Sequence, residues 1–404
     1  MARVEFCIPA TPSSFIEAVH SRDPVTGFTH SFYRYPARFS PLFARAAIKA
    51  FTKPGELVLD AFMGGGTSIV EARALGRLAI GTDINDLSVF VSNVKTKVFS
   101  KTELAQILLW AEELIEKINL RNPPIRALEW AELGYQRNIS GKSTWPIRKI
   151  VELALPHVME LPRRRQQAFA RCALLRTAQW ALDCRKEIPS ASKFRQQFLN
   201  HTQEMINGAW DYAKAVRESD RLYDLKGSRR VLCLHRSAAG IETDKRVEGF
   251  PAPKLILTSP PYPGVHVLYH RWQVQGRRET PAPFWIANCK DGNGASFYTF
   301  GHREQKDLKG YYEKTFAAFS SLSKIADRTT LLVQLVGFSD PSWQLPKYLS
   351  VLEMAGFSEI KYSNFTNSPD GRLWRCIPNR KWYADQRGAI APSKEVVLFH
   401  RLLN

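Results

Sequence analysis

The stretch Thr258-Ser259-Pro260-Pro261-Tyr262 combines spare hydrogen-bond acceptors with a flat ring. Two consecutive prolines lack N–H groups and have fixed φ, so the carbonyls of Ser259 and Pro260 are not readily drawn into a helix or a sheet ladder. They remain available as acceptors. Tyr262 adds an aromatic face beside them, and together these groups suit a flat, amino-bearing ligand such as a nucleobase. The preceding apolar run, Lys254-Leu255-Ile256-Leu257, reads as a buried strand. A rigid polar turn at the end of such a strand is where open α/β sheets hold ligands.

A second constellation lies earlier in the chain. Glu56-Leu57-Val58-Leu59-Asp60 reads as a buried strand, and it runs through Ala61-Phe62-Met63-Gly64-Gly65-Gly66-Thr67 into a helical pattern from Ser68 to Leu75. Glycines at such a turn let the backbone approach a ligand, and the helix N-terminus faces the same spot. A further apolar strand, Leu78-Ala79-Ile80-Gly81, ends in Thr82-Asp83, so a carboxylate follows Gly64 by 19 residues (83 minus 64). That placement suits a ribose diol. The pattern is neither the dinucleotide Gly-x-Gly-x-x-Gly nor a phosphate loop. A nucleoside ligand without pyrophosphate fits best, and S-adenosylmethionine is the common one.

Asp60-Ala61-Phe62-Met63-Gly64-Gly65-Gly66-Thr67 resembles the Asp-x-Phe-x-Gly-x-Gly-Thr cofactor motif of the amino-methylating DNA methyltransferases. Thr258 to Tyr262 resembles their catalytic motif, in the Ser-Pro-Pro-Tyr form most often seen in the cytosine-N4 branch. His30-Ser31-Phe32-Tyr33-Arg34-Tyr35-Pro36-Ala37-Arg38-Phe39 resembles the segment that precedes the cofactor motif in some of these enzymes and closes over the methionine end. The resemblance spans roughly residues 28–98, 229–265 and 329–401. It implies S-adenosylmethionine as cofactor and an α/β fold: the class I (Rossmann-like) methyltransferase seven-stranded mixed sheet, here with a large helical insertion. It assigns Ser259, Pro260, Pro261 and Tyr262 to catalysis. Asp60, Phe62, Gly64, Gly66, Thr67 and Asp83 are assigned to the cofactor, with Tyr35 and Pro36 as neighbours. The chain departs from the family after its third strand, where His235-Arg236-Ser237 stands in place of an acid that reaches the adenine.

The resemblance implies transfer of methyl to the exocyclic N4 of a cytosine flipped out of a specific duplex sequence. Such an amino group is a poor nucleophile, because its lone pair is delocalised into the ring. Acceptors aimed at its protons, here the Ser259 hydroxyl or carbonyl and the Pro260 carbonyl, localise the pair and stabilise the developing positive charge. Adenine N6 is the nearest alternative, followed by guanine N2 in RNA. A protein-glutamine methyltransferase more often carries Asn-Pro-Pro-Tyr, and a catalytically silent DNA-binding protein would not need both motifs intact.

The composition agrees with this reading. Lys+Arg of 57 against Asp+Glu of 38 gives a formal charge of +19, which attracts a polyanion and makes binding salt-dependent. The charge suits a nucleic acid; double-stranded DNA as partner is what the resemblance implies, and it leaves room for a cognate restriction endonuclease acting separately. The six cysteines show no Cys-x-x-Cys spacing and no zinc-type His cluster, so no metal is expected. None follows a proline, which excludes the Pro-Cys nucleophile of ring-carbon methylation. No signal-peptide pattern opens the sequence and no 18-residue apolar run occurs, so the cytoplasm, not a membrane, is the expected location.

The elements that must position these groups alternate between strand and helix, with one interruption. Residues 1–27, with Pro9, Pro12 and Pro24, read as an irregular lead-in. Pro41 to Phe51 and Asp86 to Lys97 read as helices around the first two strands, while Thr102 to about Leu225 reads as predominantly helical, with breaks near Asn122-Pro123-Pro124, Trp145-Pro146 and Ile188-Pro189. Strands resume at Arg230 to Leu234, and Thr329 to Val336 follows a helix from Tyr311 to Ile325. A helix over Leu345 to Ala355 leads to a closing antiparallel pair, Phe357 to Phe365 and Glu395 to Arg401. The expected division is 1–99 for the first half of the catalytic domain, 100–228 for an insertion that recognises DNA, and 229–404 for the second half.

Three basic stretches are candidates for DNA contact. Residues 161–200 carry nine Lys or Arg, including Arg163, Arg164 and Arg165, against Asp183 and Glu187. His270, Arg271, Trp272, Arg277 and Arg278 follow the catalytic motif, where a loop would sit over the target base. Arg375, within Arg372-Leu373-Trp374-Arg375, lies between the closing strands and could line the same cleft.

Overall fold

The computed structural model describes residues 12–35, 40–123, 128–224, 230–264, 271–276, 278–292, 298, 300, 306–362, 368–376 and 394–403. The first half begins with helices α1 (Pro12–His20) and α2 (Pro41–Phe51) and continues as β1 (Leu57–Asp60), α3 (Thr67–Ala74), β2 (Leu78–Asp83) and α4 (Asp86–Lys95). Residues 1–27 are thus not all irregular. Pro12 stands at the first position of a helix, where its missing N–H costs nothing, and Phe15 and Val19 bury that helix against the core. The side chain of Asn85 caps α4 by accepting the Leu87 N–H at 3.1 Å.

Five helices then follow: α5 (Lys101–Lys117), α6 (Leu128–Glu132), α7 (Trp145–His157), α8 (Arg164–Leu182) and α9 (Ala191–Leu222). Ser100 and Glu103 close a capping box at the start of α5. Trp145-Pro146 starts a helix instead of breaking one, again because proline is tolerated in a first turn. The α/β rhythm resumes with β3 (Val231–His235) and β4 (Leu255–Thr258), then a small hairpin of β5 (Trp272–Val274) and β6 (Arg278–Thr280), and α10 (Ala282–Ala287). The remainder is α11 (Lys309–Ile325), β7 (Leu331–Gly337), α12 (Pro341–Met354), β8 (Phe357–Ile360), β9 (Leu373–Cys376) and β10 (Lys394–Leu402).

The main sheet runs β3-β2-β1-β4-β7-β10-β8, with β9 also paired to β10. β10 is antiparallel to β7, β8 and β9, while the pairs among β3, β2, β1, β4 and β7 are parallel. This is the class I methyltransferase strand order, read from the pairing itself, with β9 as an unforeseen extra strand. Strands covered on both faces are apolar without alternation, as in the Leu-Val-Leu of β1 and the Leu-Ile-Leu of β4. Leu57, Leu59 and Ile256 join Phe319 and Tyr348 of α11 and α12 on one face, while Val58, Leu255 and Leu257 join Phe15, Phe43 and Ile69 of α1, α2 and α3 on the other.

β2 and β3 lie to one side of β1, and β7 and its neighbours lie beyond β4. The strand order therefore reverses between β1 and β4, and their carboxyl ends open the crevice where such sheets hold ligands. A third apolar cluster joins α5, α7, α8 and α9 to α4, Tyr33, Tyr35, Trp272 and Trp285, so the helical run is packed against α4, the segment that carries Tyr35 and the β5–β6 hairpin. No helix among the described residues is long and apolar enough to cross a membrane.

Candidate active site

Beyond β1 the chain turns over at Gly64 and Gly66, with φ of 47° and 73°. A Cβ on Gly66 would stand 2.5 Å from Ser92 Oγ, so the turn demands glycine on two counts. The surroundings hold the turn rigid. Gly64 donates its N–H to Asp83 Oδ2 at 2.9 Å, and its carbonyl accepts from the hydroxyls of Ser88 and Ser92. Lys95, fully buried on α4, donates Nζ to the Gly65 carbonyl at 2.7 Å. The ring of Tyr35 lies against the same glycines, within 3.2 Å of a Cβ on Gly64, and its hydroxyl accepts from Asn85 Nδ2 at 3.2 Å.

Asp83 closes the second side. Its two oxygens accept the N–H groups of Gly64 and Asn85, at 2.9 and 2.8 Å. Burial pushes this carboxyl up from the ordinary aspartate value, against the pull of those two donors. The third side is the end of β4. Ser259 Oγ donates to the Leu335 carbonyl of β7 at 2.9 Å and lies 3.3 Å from the Tyr262 hydroxyl. The Pro261 carbonyl accepts from Tyr311 at 2.8 Å, whereas no donor among the described residues reaches the carbonyls of Ser259 and Pro260. The acceptors that two prolines were expected to leave spare are the ones left spare.

Tyr262 is placed by partners far away in the chain. Its hydroxyl donates to Glu395 Oε1 at 2.6 Å, and Glu395 Oε2 in turn accepts from Arg375 Nε and Nη2 at 2.8 and 2.7 Å. The ring lies over Gly337, where a Cβ would meet ring carbons at 2.9 Å. Gly337→Ala is therefore expected to tilt the ring and to lower the transfer that the resemblance implies by on the order of tenfold to a hundredfold, the scale of a small misplacement of reacting groups. Titration of the cofactor without DNA, beside single-turnover transfer, checks this. A weakened cofactor with unaltered transfer would contradict it.

These elements line one cleft at the carboxyl ends of β1, β2 and β4. Of the residues expected from the sequence, Tyr35, Phe62, Gly64, Asp83, Ser259, Pro260, Pro261 and Tyr262 line it. Sequence reasoning missed Ile84, Ala238 and Phe300, which give it apolar walls, and left Arg236 and Ser237 without a role. Their signal was the end of β3, the next strand to open on this crevice. The cleft fits S-adenosylmethionine: a carboxylate for the ribose diol, apolar walls for the adenine, and glycine backbone toward the methionine. Arg236, its one lining cation among the described residues, is paired with Asp244 at 2.7 Å, so the site does not favour a pyrophosphate.

Several assignments are corrected. Asp60 does not face the cleft. It is buried and accepts from the Phe62 N–H at 3.1 Å, from Thr258 Oγ1 at 2.7 Å and from Ser68 Oγ, and so ties β1 to α3 and β4. Gly66 and Thr67 also lie behind the cleft wall, Gly66 against Ser92 and Thr67 buried at the start of α3. Trp272 is core: its Nε1 donates to the Tyr33 hydroxyl at 3.0 Å. Arg271 pairs with Asp291 at 3.0 Å, and Arg375 is buried on Glu395, so neither is offered to DNA. Arg163 and Arg165 lie 3.5 and 2.6 Å from Glu103, and with Arg164 they border a separate surface groove beside α4. Arg278 is exposed on the hairpin. Pro36, His270 and Arg277 lie outside the described residues. Among those described, no group of His, Cys, Asp and Glu could hold a metal ion.

Burial outweighs the three donors at Asp60 and pushes its carboxyl from 3.8 up to about 6. The folded state therefore binds this proton more tightly than the unfolded chain. Its contribution to stability is complete below pH 3.8 and is lost as pH rises through about 6. Relative to Asp60→Asn, which cannot titrate, the native chain is expected to lose on the order of 2–3 kcal/mol between pH 4 and pH 7. Urea midpoints measured for both across that range should converge or cross. Parallel curves would contradict the shift.

Comparison with known proteins bears on the first half of this site. The family model described as DNA methylase (N6_N4_Mtase) matches residues 16–90, which span α1 to α4 and carry the glycine turn. Type II methyltransferase M.MjaII of Methanocaldococcus jannaschii is 30% identical over 84 residues, 21% of this chain and 16% of that protein. Type II methyltransferase M.MvaI of Kocuria varians is 36% identical over 95 residues, 23% of this chain and 21% of that protein. The matched stretches thus span about a fifth or less of these relatives. TrmN from Thermus thermophilus covers 90% of this chain, and 49% of its own, at 10% identity and a TM-score of 0.30, too distant to carry an argument. The segment that builds the glycine turn and Asp83 is thus similar to the DNA methylase family model and to two type II methyltransferases.

Proposed function

We propose that this protein transfers methyl from S-adenosylmethionine to an exocyclic amino group in duplex DNA, with cytosine N4 as its target. One observation carries the reading: the glycine turn with Asp83 and the Ser259-Pro260-Pro261-Tyr262 turn, separate in sequence, form walls of a single cleft. A bound S-adenosylmethionine supplies an electrophilic methyl. The chain supplies the rest. The Ser259 and Pro260 carbonyls accept the amino protons, which localises the nitrogen lone pair and stabilises the charge that develops on it. The Ser259 hydroxyl, donating to Leu335, presents its remaining lone pairs to the same protons. Tyr262 offers its face to the base, offsetting part of the few kcal/mol needed to unstack it from the duplex.

The preference for cytosine comes from the serine of the motif, through its resemblance to the cytosine-N4 branch. Adenine N6 presents the same two protons to the same acceptors and is the alternative. The test is incubation with labelled S-adenosylmethionine and duplex DNA or RNA, followed by mass spectrometry of the nucleosides. N4-methyl-2′-deoxycytidine from DNA is the expected product. N6-methyladenine would replace the cytosine assignment, and label in RNA alone would remove DNA as substrate.

A further inference from the structure

A second concave site lies behind the segment that carries Tyr35. Ser31 and Arg34 line it while Tyr35, the next residue, lines the methyl-transfer cleft, so the two clefts share one stretch of backbone. It is the larger of the two. Its far wall comes from the end of α8 and the residues after it: Arg176, Trp180, Arg185 and Lys186.

The cations here differ in how they are held. Arg176 is paired with Glu204. For Arg34, Arg185 and Lys186 no carboxylate among the described residues lies within ion-pairing distance. Asp183 borders the cleft, but its carboxylate accepts the Gln273 N–H at 3.0 Å, and burial pushes it up from the ordinary aspartate value. Glu187 is the one exposed acid among the lining residues. Two of them are held, Arg185 by its side chain and Arg34 by its backbone. Arg185 stacks on Trp180 at 4.7 Å and donates Nε to the Trp180 carbonyl at 2.6 Å, leaving its terminal nitrogens for an outside acceptor. Gln179 clamps the backbone of Arg34 from both sides, at 3.0 and 2.9 Å. Cys184, at φ 55°, donates its N–H to the Gln273 carbonyl at 2.7 Å and so anchors this loop to the β5–β6 hairpin.

We propose that this cleft binds the phosphodiester backbone of the DNA beside the target nucleotide, with Arg34, Arg185 and Lys186 on the phosphates. The assignment rests on the DNA reading above. Cations with no carboxylate within ion-pairing distance among the described residues, on the segment adjoining the methyl-transfer cleft, suit a polyanion that must be oriented while one base is withdrawn from it.

The test measures duplex affinity of the full chain over a salt series for wild type, Lys186→Ala, Arg185→Ala with Lys186→Ala, and the exposed control Lys314→Ala. Each lost phosphate contact should lower the slope of log affinity against log salt by about 0.9. The double variant should lose about twice that, with the control unchanged and cofactor affinity intact in all. Lys186 is exposed, so its variant reports even if Arg185→Ala disturbs the stack. Slopes equal to wild type, or a control that falls as much as Lys186→Ala, overturn the cleft. The same samples are assayed for methyl transfer. Wild-type transfer with unaltered slopes rejects the cleft alone, whereas binding without transfer to DNA rejects the proposed function.

Discussion

Tyr262→Ala is expected to lower methyl transfer to DNA by roughly ten- to a hundredfold while leaving S-adenosylmethionine affinity within about twofold. The magnitude follows from the ring, since stacking a base on an aromatic side chain contributes about 1–3 kcal/mol. The selectivity follows from the geometry. Asp83, the glycine turn and the Ile84, Ala238 and Phe300 walls all remain when the ring is removed. Tyr262→Phe separates the two roles of the residue: it keeps the face and removes only the bond to Glu395, so its loss should be smaller. Single-turnover transfer and equilibrium cofactor binding, measured without DNA, read the two quantities apart. Abolished cofactor binding in Tyr262→Ala would mean that the ring holds the cofactor and not the base.

The second large effect lies at Arg375. Its guanidinium is buried, doubly bonded to Glu395, and lies 5.8 Å from the centre of the Phe43 ring. Arg375→Met strands the Glu395 carboxylate without its cation, and breaking a buried pair in this way costs about 3–5 kcal/mol. The urea midpoint should fall accordingly. Removing both charges, in Arg375→Met with Glu395→Leu, takes away the stranded carboxylate and should restore most of that stability. It should not restore transfer, because Tyr262 then lacks the acceptor that orients its ring. A double variant with both native stability and native transfer would show that the pair only fills space.

Much of the sheet was readable from sequence for a simple reason. Buried parallel strands are unbroken apolar runs, so Leu57 to Leu59 and Leu255 to Leu257 announce themselves, and an acid after β2 marks its carboxyl end. The failures share one cause. Asp60 looks the same in sequence whether it faces a ligand or a neighbour, and the neighbour that decides, Thr258, is 198 positions away. Arg375 reads as a DNA contact until Glu395, on the paired strand, is seen to bury it. Trp272 sits among basic residues, yet its indole is claimed by Tyr33, 239 positions earlier. Residue type and spacing show what a side chain can do, while long-range pairing decides what it is free to do.

The position of β10 has a consequence for how the protein is made. It lies between β7 and β8, both of which precede it in the chain, and Phe15 of α1 packs on its Phe399 at 6.1 Å between ring centres. During vectorial synthesis β7 therefore waits with an open apolar edge, a form of exposure that favours aggregation. Glu395 arrives on that same strand. A nascent chain thus holds every residue of the Ser259-Pro260-Pro261-Tyr262 turn before Glu395 is there to orient Tyr262, and the turn is set only when the gap in the sheet is filled.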